Sequence, residues 1–314
     1  GLEFKIKDVF NLRYAPIALI GVIVPWIGGF LTAKLFGFSF ENSVFTGTAL
    51  TATSIAITAN VLKEMGKLHT EAAKAIIGAA VIDDVLALLA LSLSEQIVGG
   101  SLSFVGIIIP VLKAGLFLVI GIYIGSNLLS RLIERVDRTA ISQKYPEFVF
   151  MFAMMLAFLY AMIAEILGLS SIVGAFLAGI SLEGAVVRQG KNYREGAEYL
   201  YIIFASIFFV SLGILVDIHV ITPAVLWFLI VLTVVAIMTK VIGCFLPAKW
   251  MGLSLKDAAV VGFGMSPRGE VAMIVGLIGL NQNLITQEIY AAIIFMSLFT
   301  TIFTPIVLRN WLYK

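Results

Sequence analysis

The stretch AIIGAAVIDDVLALLAL, residues 75–91, sets two adjacent carboxylates, Asp83 and Asp84, in the middle of an apolar run. The apolar flanks predict a helix that crosses a membrane, because about 20 apolar residues span a hydrocarbon layer of ~30 Å. A carboxylate at the centre of such a helix costs about 2.5–3.5 kcal/mol, so two together indicate a functional site. Successive helical residues point about 100° apart, so one carboxylate can face a water-filled cavity while the other faces a neighbouring span.

The composition of the whole chain is that of a membrane protein. Of 314 residues, 61% are hydrophobic and 13% are charged, whereas about a quarter of the residues of a soluble domain are charged. The formal net charge of +2 gives no indication of a nucleic-acid partner. The single cysteine, Cys244, excludes a disulfide framework and a cysteine-rich metal site. We therefore predict an all-α polytopic protein whose surroundings are the lipid bilayer.

Ten apolar runs predict ten spans, and the basic residues orient them. The predicted spans are 14–36, 43–62, 71–93, 102–130, 146–167, 170–187, 197–216, 221–246, 257–280 and 288–308. Lysines and arginines concentrate in alternate connectors, which the positive-inside rule assigns to the cytoplasm together with both ends of the chain. The chain begins with Gly1-Leu2-Glu3 in a polar connector rather than with Met and a span, so we expect N-terminal spans to be missing from it.

Two of the spans carry signs of interruption at matching places. Spans one to three and spans eight to ten have the same arrangement but enter the membrane from opposite sides, which predicts an inverted repeat. The ninth span contains GFGMSPRGE at 262–270, where Pro267 breaks the helix. The second span contains TATS at 51–54, where either a break or threonines that bond back to an intact helix fits the composition. Interrupted helices in inverted repeats are typical of the ion sites of transporters.

Lys240 is a candidate partner for the acidic pair. Asp84 lies ten residues past the cytoplasmic-side Lys74, and Lys240 lies nine residues before the cytoplasmic-side Lys249, so both fall at about the same depth. A carboxylate would hold the buried ammonium charged. The alternative is that Lys240 extends to the inner surface.

Arg268 and Glu270 flank the break in the ninth span. Two positions apart on a helix they face nearly opposite sides, which argues against a pair between them. We predict that they balance exposed half-helix ends or link the broken helix to a neighbour, in preference to binding an ion directly.

Six segments together resemble the monovalent cation/proton antiporter superfamily, and within it the electrogenic sodium/proton antiporters that have two adjacent aspartates. They are GLE at 1–3, TATS at 51–54, GAAVIDD at 78–84, GLSSIVGAFLAG at 168–179, FFVSLG at 208–213 and SPRGE at 266–270. The resemblance implies an inverted-repeat antiporter fold in which two discontinuous helices cross. It also implies a core ion-transport domain made of residues 14–93 and 221–308, a connecting helix at 102–130, and a dimerisation domain at 146–217.

The resemblance also implies roles for individual residues. Asp84 would be the main carboxylate for sodium and for protons, Asp83 would pair with Lys240, and Thr51, Thr53 and Ser54 would offer oxygens from the unwound segment. The protein would be a homodimer with no cofactor, in a prokaryotic plasma membrane, where it would contribute to pH homeostasis. Ser54 is a departure, since electroneutral relatives and some electrogenic ones have an aspartate there, so the charge balance at the crossing would have to come from other residues.

The expected function is secondary active exchange of sodium, or lithium, for protons, electrogenic and by alternating access of the core. Potassium/proton exchange is the alternative, because oxygen ligands alone do not separate these cations. An intramembrane aspartyl protease is a remote alternative, since that chemistry needs carboxylates from two helices to share a proton. Asp83 and Asp84 lie on one helix, which argues against it.

Overall fold

The computed structural model describes residues 12–100, 104–145, 147–167, 171–183, 185 and 190–313. These residues form helices and connecting turns, with no strand among them. The GLE segment, the first residues of the predicted fourth span and the last residues of the sixth lie outside the described residues.

The described helices are numbered here in chain order. They are α1 (Ala15–Leu35), α2 (Phe40–Ala49), α3 (Ile55–Glu64), α4 (Glu71–Val98), α5 (Phe104–Ile124), α6 (Ser130–Asp137), α7 (Ala140–Lys144), α8 (Glu147–Ile166), α9 (Ser171–Glu183), α10 (Gly190–Ile214), α11 (Pro223–Trp250), α12 (Leu255–Gly264), α13 (Glu270–Asn281) and α14 (Gln287–Val307).

Seven helical stretches in the described residues are long and apolar enough to cross a membrane. They are Ala15–Leu35, Glu71–Val98, Gly115–Asp137, Glu147–Ile166, Glu195–Ile214, Pro223–Trp250 and Gln287–Leu312. The second and ninth predicted spans are each two short helices, α2 with α3 and α12 with α13, so the helix breaks at both places are confirmed. The sixth is described as the 13-residue helix α9.

The fourth span differs from its predicted end at residue 130. Helix α5 continues through a π-helical turn at Gly125–Leu129 into α6, which ends at Asp137. Hydropathy marks only the apolar part of a helix, and α6 carries the charged residues Arg131, Glu134 and Arg135. The helix therefore ends about two turns past the predicted end of the span, because it extends beyond its apolar section.

The two interrupted spans share local details that fit a repeat. The first half-helix of each starts at a serine whose hydroxyl accepts a backbone N–H three residues on, Ser39 from Asn42 and Ser254 from Asp257. Each also has a glycine at its eighth position, where a Cβ would lie 2.6 Å from the Trp26 carbonyl oxygen or 2.9 Å from that of Val241. Gly47 and Gly262 thus let α2 approach α1 and α12 approach α11 closely.

The chain divides into two compact units. One contains residues 104–210, and the other contains residues 12–100 together with 211–313. The second unit holds both interrupted spans and the long helices α1, α4, α11 and α14, which pack around them. In the first unit α8 packs on α9, and the Tyr160 hydroxyl donates to the Gly121 carbonyl oxygen at 3.0 Å. The transport and dimerisation roles predicted for these parts stay predictions.

Candidate ion site

The first break lies between α2 and α3 and consists of residues 50–54. Thr51, Ala52, Thr53 and Ser54 are all buried. The Thr51 hydroxyl and the Thr51 N–H both donate to the Thr48 carbonyl, at 2.7 and 3.1 Å, so local hydrogen bonds to the last turn of α2 form where the helix ends. The carbonyl groups of residues 51 and 52 are left without helical partners, and they point to other elements of the core.

The second break, Met265–Gly269, crosses the first. The Ser54 N–H donates to the Pro267 carbonyl at 2.9 Å, and the Thr53 hydroxyl donates to the Met265 carbonyl at 3.3 Å. Gly269 is required at this crossing, because a Cβ there would lie 2.5 Å from the Ser54 Cβ. The two discontinuous helices therefore touch backbone to backbone.

Asp83 and Lys240 form an ion pair beside this crossing. The Lys240 ammonium donates to Asp83 Oδ1 and to the Thr51 carbonyl, each at 2.7 Å, and neither side chain has exposed surface. Lys240 therefore does not extend to the inner surface, which rules out the alternative reading of its position. Asp83 Oδ2 is buried and receives no hydrogen bond from any described residue.

Asp84 follows Asp83 on α4 but has a different environment. The residue is partly exposed, and no donor among the described residues bonds its carboxylate. The charges of Asp83, Glu270 and Lys240 all act on it electrostatically. Asp84 thus offers two carboxylate oxygens to a ligand, whereas one oxygen of Asp83 is engaged by Lys240.

Arg268 is fully buried in the second break and links several elements. Its guanidinium donates to the Ala52 carbonyl in the first break at 2.9 Å and to the Ala236 carbonyl on α11 at 3.2 Å. Its Nε has no hydrogen-bond partner among the described residues. The side chain therefore places a positive charge against the Ala52 carbonyl near the end of α2, where a helix carries partial negative charge.

Glu270 is the first residue of α13, and its carboxylate lies where a helix carries partial positive charge. Glu270 Oε2 accepts from the Ser54 hydroxyl at 3.4 Å, a long hydrogen bond. Ser54 is thus turned toward an acid on the opposite break. An aspartate is absent at position 54, and Glu270 supplies a carboxylate close to it.

Other titratable residues considered from the sequence lie elsewhere. Lys113, Glu165, His69 and His219 are exposed. The pKa of Asp217 lies below its usual value, because the His219 backbone N–H and then the His219 ring bond the carboxylate. Within the unit that holds Asp83, Lys240 and Arg268, no described hydrogen bond or ion pair joins His69 or His219 to these three residues.

Sequence reasoning missed a set of hydroxyls on α14 that face the second break. Thr300 and Thr301 bond the backbone of Arg268, and Thr304 bonds the Ser266 hydroxyl at 2.9 Å. Their spacing with Ser297, at i, i+3, i+4 and i+7, was the available signal, since it places four hydroxyls on one helix face. The carbonyl partners of Arg268 had no such signal, because they belong to alanines.

Comparison with known proteins agrees with this architecture. The family described as "Sodium/hydrogen exchanger, transmembrane" matches residues 1–314. The chain is similar to the "Na(+)/H(+)-K(+) antiporter GerN" of Bacillus cereus, with 33% identity over 98% of this chain and 78% of the relative. It is also similar to the "Na(+)/H(+) antiporter" of Enterococcus hirae, with 32% identity over 95% of this chain and 76% of that relative.

A solved structure supports the fold. The sodium proton antiporter MjNhaP1 of Methanocaldococcus jannaschii matches with a TM-score of 0.64 and 19% identity, over 98% of this chain and 79% of that one. The relatives are transporters and not enzymes, so the protease alternative falls away. The chain, an integral membrane protein with two crossed discontinuous helices, therefore belongs to the sodium/hydrogen exchanger family.

Proposed function

We propose that the chain exchanges sodium for protons, and that both bind in turn at Asp84. The observation that carries the proposal is the contrast within the acidic pair: Asp83 is fully buried against Lys240, whereas the neighbouring Asp84 is partly exposed and unbonded by described residues. A hard monovalent cation takes oxygen ligands. Thr51, Thr53 and Ser54 contribute further oxygens from the adjacent break, where all three are buried.

Exchange follows from competition for one carboxylate. A sodium ion at Asp84 requires the ionised carboxylate, and a proton there neutralises the same oxygen atoms. The core then exposes the loaded site to one side of the membrane at a time, by alternating access. The unwound segment at 50–54 contacts the Asp83–Lys240 pair through the Thr51 carbonyl and crosses the segment at 265–269, a pattern typical of transporter ion sites.

The formal charges of the residues near the crossing bear on how many protons are exchanged for each sodium ion. Asp83, Asp84 and Glu270 contribute three negative charges when ionised, and Lys240 and Arg268 contribute two positive charges, which gives −1. One sodium makes this set neutral, and so does one proton on Asp84. If sodium binding also releases the Lys240 proton, the sodium-loaded set carries −1 and the proton-loaded set carries 0. Two protons per sodium would then make the exchange electrogenic.

The assignment of Asp84 is tested by proton flux in proteoliposomes. Collapse of a pH gradient on addition of sodium is expected from the wild type and is expected to be lost in Asp84→Asn. Glu165→Gln is the matched control, because it removes an exposed carboxylate outside the cluster and should leave the flux unchanged. Full exchange by Asp84→Asn would overturn the assignment.

Electrogenicity has a separate test. Sodium-driven exchange should generate a membrane potential that a voltage-sensitive dye detects. In Asp83→Asn the proton on Lys240 is no longer coupled to an aspartate, so the charge moved per sodium should fall. Charge movement equal to that of the wild type would overturn the two-proton scheme and leave simple competition at Asp84 standing.

Potassium/proton exchange is the second candidate function. One relative is named as an "Na(+)/H(+)-K(+) antiporter", and 33% of its aligned residues are identical to this chain. Parallel measurements with sodium, lithium and potassium separate the candidates. A larger initial rate with potassium than with sodium at equal concentration would identify potassium as the principal cation.

We also infer a homodimer in a prokaryotic plasma membrane, with both ends of the chain in the cytoplasm and a contribution to pH homeostasis. The support is the similarity to bacterial antiporters and the distribution of basic residues among the connectors. Light scattering of the detergent-solubilised protein tests the dimer, and the accessibility of a C-terminal tag in intact cells tests the orientation.

A further inference from the structure

The second break leaves backbone groups that need partners, and most of them find one on α3 or in the first break. The Gly264 carbonyl accepts from the Thr58 hydroxyl at 2.7 Å. The Met265 and Pro267 carbonyls accept from Thr53 and Ser54, as described above. A buried backbone group without a partner would be costly, so these bonds fix the position of the break.

The backbone of Arg268 is held instead by α14. Its N–H donates to the Thr300 hydroxyl at 3.0 Å, and its carbonyl accepts from the Thr301 hydroxyl at 2.7 Å. Thr300 is fully buried, and its hydroxyl in turn donates to the Ser297 carbonyl at 3.0 Å. Two consecutive threonines thus bind both backbone polar groups of one residue, in the unwound segment where helical partners are lost.

The side chain of Arg268 passes this constraint on to the ion site. It bonds the carbonyl of Ala52, the residue after Thr51, and the carbonyl of Ala236, one helical turn before Lys240. Lys240 also connects α11 to the first break, because its ammonium bonds the Thr51 carbonyl. The same ammonium bonds Asp83 on α4. Arg268 and Lys240 therefore connect the first break to α11 at two adjacent points.

We propose that Thr300 and Thr301 are positioning residues for cation binding, acting through Arg268 on the oxygen atoms of the first break. This inference rests on the proposed function of the Asp84 site. The two hydroxyls hold the backbone of Arg268, and the Arg268 guanidinium holds the Ala52 carbonyl, which is next along the chain to the Thr51 carbonyl that Lys240 bonds. A shift of these oxygens changes how well a cation at Asp84 is surrounded, so the affinity for the cation changes before the turnover rate does.

The test is the sodium dependence of exchange in Thr301→Val and Thr300→Val. Valine has nearly the shape of threonine but cannot bond the Arg268 backbone. Each variant should raise the apparent KM for sodium about tenfold, which corresponds to about 1.4 kcal/mol, with the maximal rate changed less than twofold. Thr301→Ser, which keeps the hydroxyl, should return the KM to within about twofold of the wild type.

Thr233→Val is the matched control. Among the described residues the Thr233 hydroxyl bonds only the Leu229 carbonyl of its own helix α11, at 2.8 Å, so its loss should leave the KM unchanged. An unchanged KM in both Thr300→Val and Thr301→Val, with the wild type active, would overturn the inference. If valine prevents folding, Thr301→Ala removes the same donor and is judged by the same criterion.

Failure of the proposed function has a different signature. A wild-type protein without sodium-dependent proton flux would contradict the antiport proposal itself. The rise in melting temperature on adding sodium to detergent-solubilised protein then measures binding without transport. A smaller sodium-induced shift in Thr301→Val than in Thr233→Val would support the positioning role, and equal shifts would overturn it.

Discussion

Lys240 Nζ and Asp83 Oδ1 lie 2.7 Å apart, and neither side chain has exposed surface. Burial of two charges carries a large desolvation penalty, which the pair offsets only while both partners are present. The second lysine contact, to the Thr51 carbonyl, satisfies another ammonium proton. The pair therefore stabilises the core conditionally, since the loss of either member leaves the other charge uncompensated.

Lys240→Ala is expected to destabilise the protein by about 3–5 kcal/mol, the range found when one partner of a buried pair is removed. Asp83→Asn together with Lys240→Gln removes both charges and should recover much of that loss. The measurement is the melting temperature in detergent. Lys74→Ala is the control, because the Lys74–Glu71 pair has the same 2.7 Å separation but is exposed and should contribute little. Equal effects of the two single substitutions would contradict the conditional role.

Arg268→Lys is expected to lower exchange at least tenfold although it keeps the positive charge. The arginine fork bonds carbonyl groups on two elements, Ala52 and Ala236, and a single ammonium on a flexible stem cannot hold both in the same geometry. Arg309→Lys is the control, because Arg309 pairs with Glu64 at an exposed position. If the Arg268→Lys variant exchanged ions at the wild-type rate, the positive charge alone would account for the role of Arg268.

Gly269→Ala is expected to disrupt the crossing of the two breaks, because the new methyl group would lie 2.5 Å from the Ser54 Cβ. Sodium-dependent proton flux should fall more than tenfold. Adding Ser54→Gly, which removes the opposing Cβ, should restore part of the melting temperature that Gly269→Ala loses. Gly115→Ala meets nothing within 4 Å and serves as the control. Wild-type flux in Gly269→Ala would mean that the breaks separate without loss of function.

Cys244 is expected to resist maleimide labelling in the folded protein. The single thiol of the chain is fully buried and lies 3.8 Å from the Ile17 carbonyl oxygen. Labelling should become rapid when the protein is unfolded in a denaturing detergent, and mass spectrometry would detect the added maleimide. Rapid labelling under native conditions would indicate that α1 and α11 separate at this point.

The sequence predicted the parts of this architecture that have a one-dimensional signal. Apolar length locates the spans, and Pro267 marks the second break. The depth of Lys240 in its span matches that of the acidic pair, and the structure shows Lys240 bonded to Asp83. The first break had a weaker signal, since threonines also occur in intact helices. The roles of Asp84, Thr51, Thr53 and Ser54 in ion binding stay predictions.

What the sequence could not predict depends on backbone atoms brought together by the crossing. The partners of Arg268 are carbonyl groups of alanines, and any residue type would present them. Thr300 and Thr301 act on a backbone more than 30 positions away, so their role is visible only after the packing of α14 is known. The end of α6 was missed because a charged helical extension has no apolar signal.

The separation of Asp83 and Lys240 along the chain has a consequence for biosynthesis. The two residues lie 157 positions apart, and at about 5–20 residues per second a ribosome needs roughly 8–30 s to pass from one to the other. Helix α4 therefore leaves the ribosome long before its counter-ion exists. During that interval its acidic pair must be accommodated by the insertion machinery, by water or by protonation, and arrival of α11 is the event that lets the first half of the repeat settle in the bilayer.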